Sequence, residues 1–324
     1  MTIYAKKILS WLIKAAILVL TFYFIYHQFV KKHDALNDFT NHLKTVGQNQ
    51  VIITLGFVVL LMLVNWVLES FKWCYLTLEL ANLTIWQAIE GVFHGLTWAI
   101  ITPNRLGEYG GRIMFLPPRK RIHGVFAMAV GAFAQNVITN VLGASSGILF
   151  LYLYVSVNSL LFAGLCVGAF FLIAGFLVFY FNINWLVRFL NSIRFLKKYH
   201  RFFDIMGRYK KADLLNIMFF SLARFFVFSF QYYLVIHLLI PQISLATMML
   251  VIFVFLFIQS AIPSLDVIDI GVRSLTATTL FSYVTQQPVA VIAAVSSIWF
   301  INLIIPAILG SVFVLKLKFF DRNS

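Results

Sequence analysis

Charge is scarce in this chain, and negative charge scarcest. Only 11 of 324 residues are Asp or Glu, and the four charged residue types together make up 11%. Residues 125–187, 225–265 and 274–315 contain no Lys, Arg, Asp or Glu at all. A soluble domain has about a quarter of its residues charged, so runs this long without charge exclude that class. A spanning helix needs about 20 consecutive apolar residues, and each run is long enough to hold at least one. Sustained alternation of apolar and polar residues is also missing, which argues against a membrane β-barrel.

Cysteine is nearly absent. Cys74 and Cys166 lie beside or within apolar runs. Two cysteines allow one pair at most, and their separation is not that of metal ligands. Both read as small packing residues. The motifs of common enzyme classes are missing too. There is no H-E-x-x-H, no G-x-S-x-G, no paired cysteines and no glycine loop followed by Lys-Ser/Thr. The expectation is a protein that is not an enzyme, with no catalytic residue, metal or cofactor. With no ATP-binding motif, any transport would be downhill or ion-coupled.

What is present is hydrophobic mass. Hydrophobic residues are 61% of the chain, and 35 residues are Phe. The fold class expected is all-α, a polytopic integral membrane protein. The net charge of +14 then reports topology, since cytoplasmic loops are enriched in Lys and Arg. The densest basic segment, 188–211, belongs in the cytoplasm, with the head around Lys6 and Lys7 and the tail after Lys316. This segment interleaves basic and apolar residues and would lie on anionic lipid. Nucleic acid is not an expected partner for a loop tethered to the bilayer at both ends.

Six full spans are expected, at about 8–30, 51–71, 123–154, 160–181, 214–239 and 288–315. The first resembles a signal sequence in its lysines, but it is too long, lacks a small-residue cleavage site and reads as retained. Residues 31–50 form an external loop, with Leu36, Phe39, Leu43 and Val46 at helical spacing. Two apolar segments, 86–101 and 245–262, are too short for comfortable crossing and suit re-entrant or broken helices. The whole of 1–324 reads as one membrane domain. Its halves are 51–181 and 213–316, joined by the basic segment 182–212, with 1–50 as an extra span and loop.

Each short segment leads into a charged motif. The first is "TPNRLGEYGGR" at 102–112, the second "IPSLDVIDIGVR" at 262–273. Arg105, Glu108 and Arg112 are spaced three and four residues apart, as are Asp266, Asp269 and Arg273, and such positions share a helix face. Pro103 and Pro263 precede the triads, and Thr102 or Ser264 stands where a cap would be. By the span count the two elements enter from opposite sides. That is the pattern of inverted repeats, whose interrupted helices mark a binding site near the midplane.

Arginine's planar fork suits a phosphate, so Arg105 and Arg112 could hold a lipid head group. Glu108 could neutralise an arginine or meet an ammonium. Gly107, Gly110 and Gly111, with Gly271 in the second motif, would let lipid or a helix approach the backbone. The competing reading is an internal ion pair that fixes the turn, because buried charges are usually paired. Asp266, Asp269 and Arg273 could likewise pair, bind a cation or lie in an external loop. Glu69, near the cytoplasmic end of a span, could snorkel and reads as structural. Arg224, a turn or more into its span, is more suggestive of a role, though snorkelling also reaches it. His27, His94 and His237 read as packing residues. Asn65, Gln135, Asn136 and Asn140 read as hydrogen-bonding across helices.

The stretch "TPNRLGEYGGRIMFL" resembles the signature of the lysylphosphatidylglycerol synthase transmembrane, or flippase-like, family. The matching positions are Pro103, Arg105, Gly107, Glu108 and Arg112. The resemblance implies a membrane domain that moves or handles lipids, without the soluble synthase to which some members are fused. Where members often carry a glycine-rich loop ending in glutamate, this chain keeps Gly271 and places Arg273. The function expected is a lipid translocase of the cytoplasmic membrane whose partner is an anionic or modified phospholipid. The alternatives are an ion-coupled transporter of small solutes and a non-transporting membrane partner of a lipid-modifying enzyme.

Overall fold

A computed structural model describes residues 47–102, 105–193, 200–262 and 266–316. No strand occurs among them. The elements are α1 (Gln48–Thr77), α2 (Ile85–Ile101), α3 (Leu106–Ile113), α4 (Arg121–Tyr154), α5 (Ser159–Phe181), α6 (Ile183–Ser192), α7 (His200–Arg208), α8 (Lys211–Leu239), α9 (Leu245–Ala261), α10 (Asp266–Phe281), α11 (Pro288–Trp299) and α12 (Ile305–Lys316). Five helical stretches are long and apolar enough to cross a membrane, namely Gln48–Thr77, Pro118–Tyr154, Ser159–Phe181, Lys211–Leu239 and Pro288–Phe313. The protein is an all-α polytopic membrane protein. The expected first span, at 8–30, and residues 31–46 of the expected loop 31–50 lie outside the described residues, while 48–50 of that loop belong to α1.

Local chemistry sets several helix ends. Thr84 opens α2 with a capping box, its Oγ1 accepting from the Gln87 N–H at 3.2 Å while Gln87 Oε1 accepts from the Thr84 N–H at 3.0 Å. Ser244 opens α9 in a similar way, accepting from the Thr247 N–H at 3.3 Å. The last span, α11–α12, is continuous but widens into a π turn at Phe300–Ile304. Pro306 stands two residues beyond it, and a proline has no N–H to donate to the carbonyl four residues back.

The two halves repeat an order of elements: long helix, 17-residue helix, shorter helix, long helix. They are interlocked rather than laid side by side. The leading helices α1 and α8 pair antiparallel, with Tyr75 donating to Asp213 at 2.8 Å at one end and Gln231 donating to the Val58 carbonyl at 3.1 Å at the other. The short helix α2 packs on α12, where Thr97 donates to the Ala307 carbonyl at 3.0 Å. Its counterpart α9 packs on α4, where the Tyr154 hydroxyl lies 3.4 Å from Thr247 Oγ1. Each half therefore seats its short helix against a long span of the other half. In lipid no hydrophobic force drives such pairs together, and close packing has to do it. Gly143 on α4 meets Phe257, and Gly310 on α12 meets the Phe93 carbonyl, at distances that leave no room for a Cβ.

The basic segment between the halves is more than a stretch lying on lipid. α6 and α7 fold onto the bundle and bury Ile183, Val187, Phe203, Ile205 and Met206. Phe203 meets Phe126 of α4 edge to face at 4.9 Å, and the Tyr209 hydroxyl donates to the Leu76 carbonyl at 2.6 Å. Burial pushes the Tyr209 phenol up, which keeps it a neutral donor.

Candidate functional site: a charged network around a re-entrant hairpin

α2 and α3 form an antiparallel hairpin that returns to the side it came from. A 17-residue helix is about 25 Å long, short of the ~30 Å hydrocarbon core. The two helices touch backbone to backbone. A Cβ on Gly107 would stand 2.3 Å from the Trp98 carbonyl oxygen, and one on Gly111 would stand 2.5 Å from the Gly95 Cα. Two of the motif's three glycines thus admit a neighbouring helix. Gly110 and Gly271 face nothing within 4 Å.

The turn between the helices is held by one hydroxyl. Thr102 Oγ1 donates to the Trp98 carbonyl at 3.0 Å and accepts from the Gly107 N–H at 2.7 Å. It thereby closes one helix and caps the first turn of the next. Arg105 starts α3 at φ 56° and ψ 26°, the only non-glycine in the left-handed region among the described residues. His94 locks the hairpin from inside. The Trp98 indole donates to His94 Nε2 at 3.1 Å, so Nδ1 carries the proton and donates to the Gly111 carbonyl at 3.2 Å. His94 is fully buried, with both ring nitrogens satisfied, as a packing residue should be.

The hairpin brings its charges against two spans. Arg112 reaches Glu69 of α1 with Nη1 at 2.5 Å and binds Glu108 with Nη2. Arg105 binds the other Glu108 oxygen at 3.2 Å. Glu69 also accepts from Lys72 at 2.8 Å and from Arg224 of α8. Arg224 further donates through Nε to Asn65 at 2.9 Å and lies 5.3 Å over the Trp66 ring. Glu69, Lys72 and Arg112 are 6%, 2% and 3% exposed.

In this network four cations face two carboxylates. A buried positive surplus is costly. Two guanidinium nitrogens in it, Arg105 Nε and Arg112 Nε, are buried without a partner. The side chain of Arg105 is 39% exposed and forms the open edge of the network. The arrangement is suited to receive an anion, which would supply both the missing charge and the missing acceptors.

Several expectations change at this point. Glu69 and Arg224 do not snorkel; they turn inward and meet. The span expected at 51–71 runs on, since α1 continues to Thr77, and Lys72 just past the expected end is among the least exposed side chains of the described residues. Asn65 does bond across helices, and Gln135 Nε2 lies 3.4 Å from the Ser221 carbonyl. Asn140 instead turns back to the Asn136 carbonyl of its own helix at 2.7 Å. His237 stacks on Tyr233 at 5.2 Å. In the second half, Asp266, Asp269 and Arg273 share α10. Arg273 is half-buried, the side chains of the two aspartates lie outside the described residues, and so do Pro103, Pro263 and His27. Among the described residues no three His, Cys, Asp or Glu converge as a metal site would require.

Fold and site together define a polytopic α-helical membrane protein with a charged network buried where a re-entrant hairpin meets two spans. No family model, curated protein or solved structure matches the chain.

Proposed function

We propose that this protein is a lipid translocase. Its substrate is an anionic or modified phospholipid whose phosphate engages the network of Arg105, Glu108, Arg112, Glu69 and Arg224. The observation that carries this reading is the surplus of two positive charges in the network, with unpartnered guanidinium nitrogens and Arg105 at its open edge. A phosphate would bind Arg105 in place of Glu108 and leave again when Glu108 returns, so the site binds without trapping. The interlocked halves and the resemblance at Pro103, Arg105, Gly107, Glu108 and Arg112 support the same reading. On it the protein catalyses no covalent step, resides in the cytoplasmic membrane and keeps both termini and the α6–α7 segment in the cytoplasm.

The test is lipid exchange between leaflets in proteoliposomes, using head-group-labelled fluorescent lipids and a membrane-impermeant quencher. Wild type should accelerate exchange of an anionic lipid, and folded Arg105→Gly and Glu108→Gln variants should lose the acceleration. Failure to move any lipid tested would overturn the reading in favour of a solute transporter or a non-transporting partner of a lipid enzyme. Exchange that survives both substitutions would leave a translocase whose path avoids this network.

A further inference from the structure

A second cation cluster stands apart from the network, at the face where α5 ends and α8 begins. There α6, the end of α7 and the start of α8 enclose a cavity of about 450 Å³ lined by Arg188, Arg208, Lys210, Lys211, Trp185 and Asn184, among others. That volume falls within the range of about 300–1,000 Å³ usual for small-molecule pockets. All four cations are exposed, and no ion pair joins any of them to an acid among the described residues. No Asp or Glu lines the cavity. Two acids stand near it, Glu79 and Asp213, both close enough to act on Tyr209. Both Asp213 oxygens already accept, from the Lys210 backbone N–H and the Tyr75 hydroxyl at 2.8 Å each.

The surroundings of the cavity are lipid-facing. Among the described residues α5, the span that leads into it, buries only Tyr180, which leaves a long apolar face suited to acyl chains. On α6, Trp185 and Phe189 are 52% and 61% exposed beside Arg188 while Ile183 and Val187 turn inward. Aromatic side chains in such a position sit at the level of lipid head groups. A free phosphate would make no use of this apolar approach; a phospholipid would use all of it.

We propose that this cavity is a binding site for the phosphate-bearing head group of an anionic phospholipid from the adjacent leaflet, with its acyl chains running along α5 and α6. The site is separate from the Glu69 network. It holds a resident lipid that fixes the α6–α7 segment at the membrane surface, whatever the protein transports.

Trp185 reports on this site directly. The full chain would be placed in phosphatidylcholine nanodiscs containing a minority of phosphatidylglycerol, with bromine on the acyl chains of one lipid or the other. The difference between wild type and Trp185→Phe isolates the fluorescence of Trp185. At equal mole fraction, brominated phosphatidylglycerol should quench that share several-fold more than brominated phosphatidylcholine. The preference should vanish in R188Q/R208Q/K210Q/K211Q and persist when inorganic phosphate is added at constant ionic strength. Equal quenching by the two lipids in wild type would overturn the proposal and needs no cation variant. So would a preference that survives the quadruple substitution. Competition by inorganic phosphate would also overturn it, by assigning the cavity to a soluble anion.

Discussion

Arg105 occupies a backbone conformation that costs a non-glycine residue about 1–2 kcal/mol, and its ion pair with Glu108 is partly exposed, which limits the return to about 0–1 kcal/mol. Strain kept at little structural profit points to a use for the side chain itself. Arg105→Gly should therefore change stability by no more than about 1 kcal/mol while abolishing lipid exchange. A large drop in melting temperature would show that Arg105 holds the fold. Glu69 predicts the opposite balance. It is the shared acceptor of Lys72, Arg112 and Arg224, and Glu69→Gln would leave three cations crowded without it. Breaking a buried pair costs about 3–5 kcal/mol, so this variant should melt well below wild type in detergent. Glu108→Gln should lose less, since Arg112 keeps Glu69 and Arg105 has access to solvent. Equal melting of the two variants would refute a network centred on Glu69.

At the scale of elements, the hairpin depends on close helix approach at Gly107 and Gly111. Gly107→Ala must push the Trp98 carbonyl away, and overpacking of this kind costs about 1–3 kcal/mol. Gly110→Ala should be harmless, because its Cβ would enter open space. Comparing the thermal stability of these two single-methyl changes tests the hairpin geometry directly. The hairpin was legible in the sequence, since a 16-residue apolar run ending in proline and glycines cannot cross a bilayer and continue as a span. The long helices were legible for the same physical reason, because lipid demands unbroken apolar length. The network was not. Arg105, Glu108 and Arg112 announce themselves by spacing, but Glu69 and Arg224 join them only through the pairing of α1 with α8, which no local pattern encodes. Taken singly, Glu69 reads as a charge near a span end and Arg224 as one within snorkelling reach of it. The one available signal was that Asn65, Glu69 and Lys72 recur at helical spacing, a polar stripe inside an apolar helix. The fold of α6 and α7 is masked in the sequence by their basic residues, which interrupt the apolar inner face of Ile183, Val187, Phe203 and Ile205.

At the scale of the whole molecule, the exchange of short helices makes each half incomplete alone. α2 has its partner α12 in the second half, and α9 has its partner α4 in the first. Isolated, α2 would leave Thr97 and the carbonyl edge around Phe93 without the helix that covers them, while Gly143 of α4 would stand bare where Phe257 now packs. The charge network crosses the same boundary, since Arg224 belongs to the second half and Glu69, Glu108 and Arg112 to the first. Without Arg224 the first half still carries three cations for two carboxylates; without Glu69 the second half holds a largely covered arginine with no acid. A chain cut between Ser192 and His200 should thus yield two fragments that aggregate or are degraded when expressed singly. Expressed together they should assemble into one complex, because the cut severs only the connection between α6 and α7 and leaves the seats of α2 on α12 and of α9 on α4 intact. Co-purification through a tag on one fragment, with gel filtration of the product, checks this. Assembly should fail when Glu69→Gln and Gly310→Leu are introduced together, since the first removes the charge link between halves and the second blocks the seat of α2. Two fragments that each run as folded monomers would instead mean that the halves are independent bundles, and that the interlocked packing of α2 and α9 does not hold the molecule together.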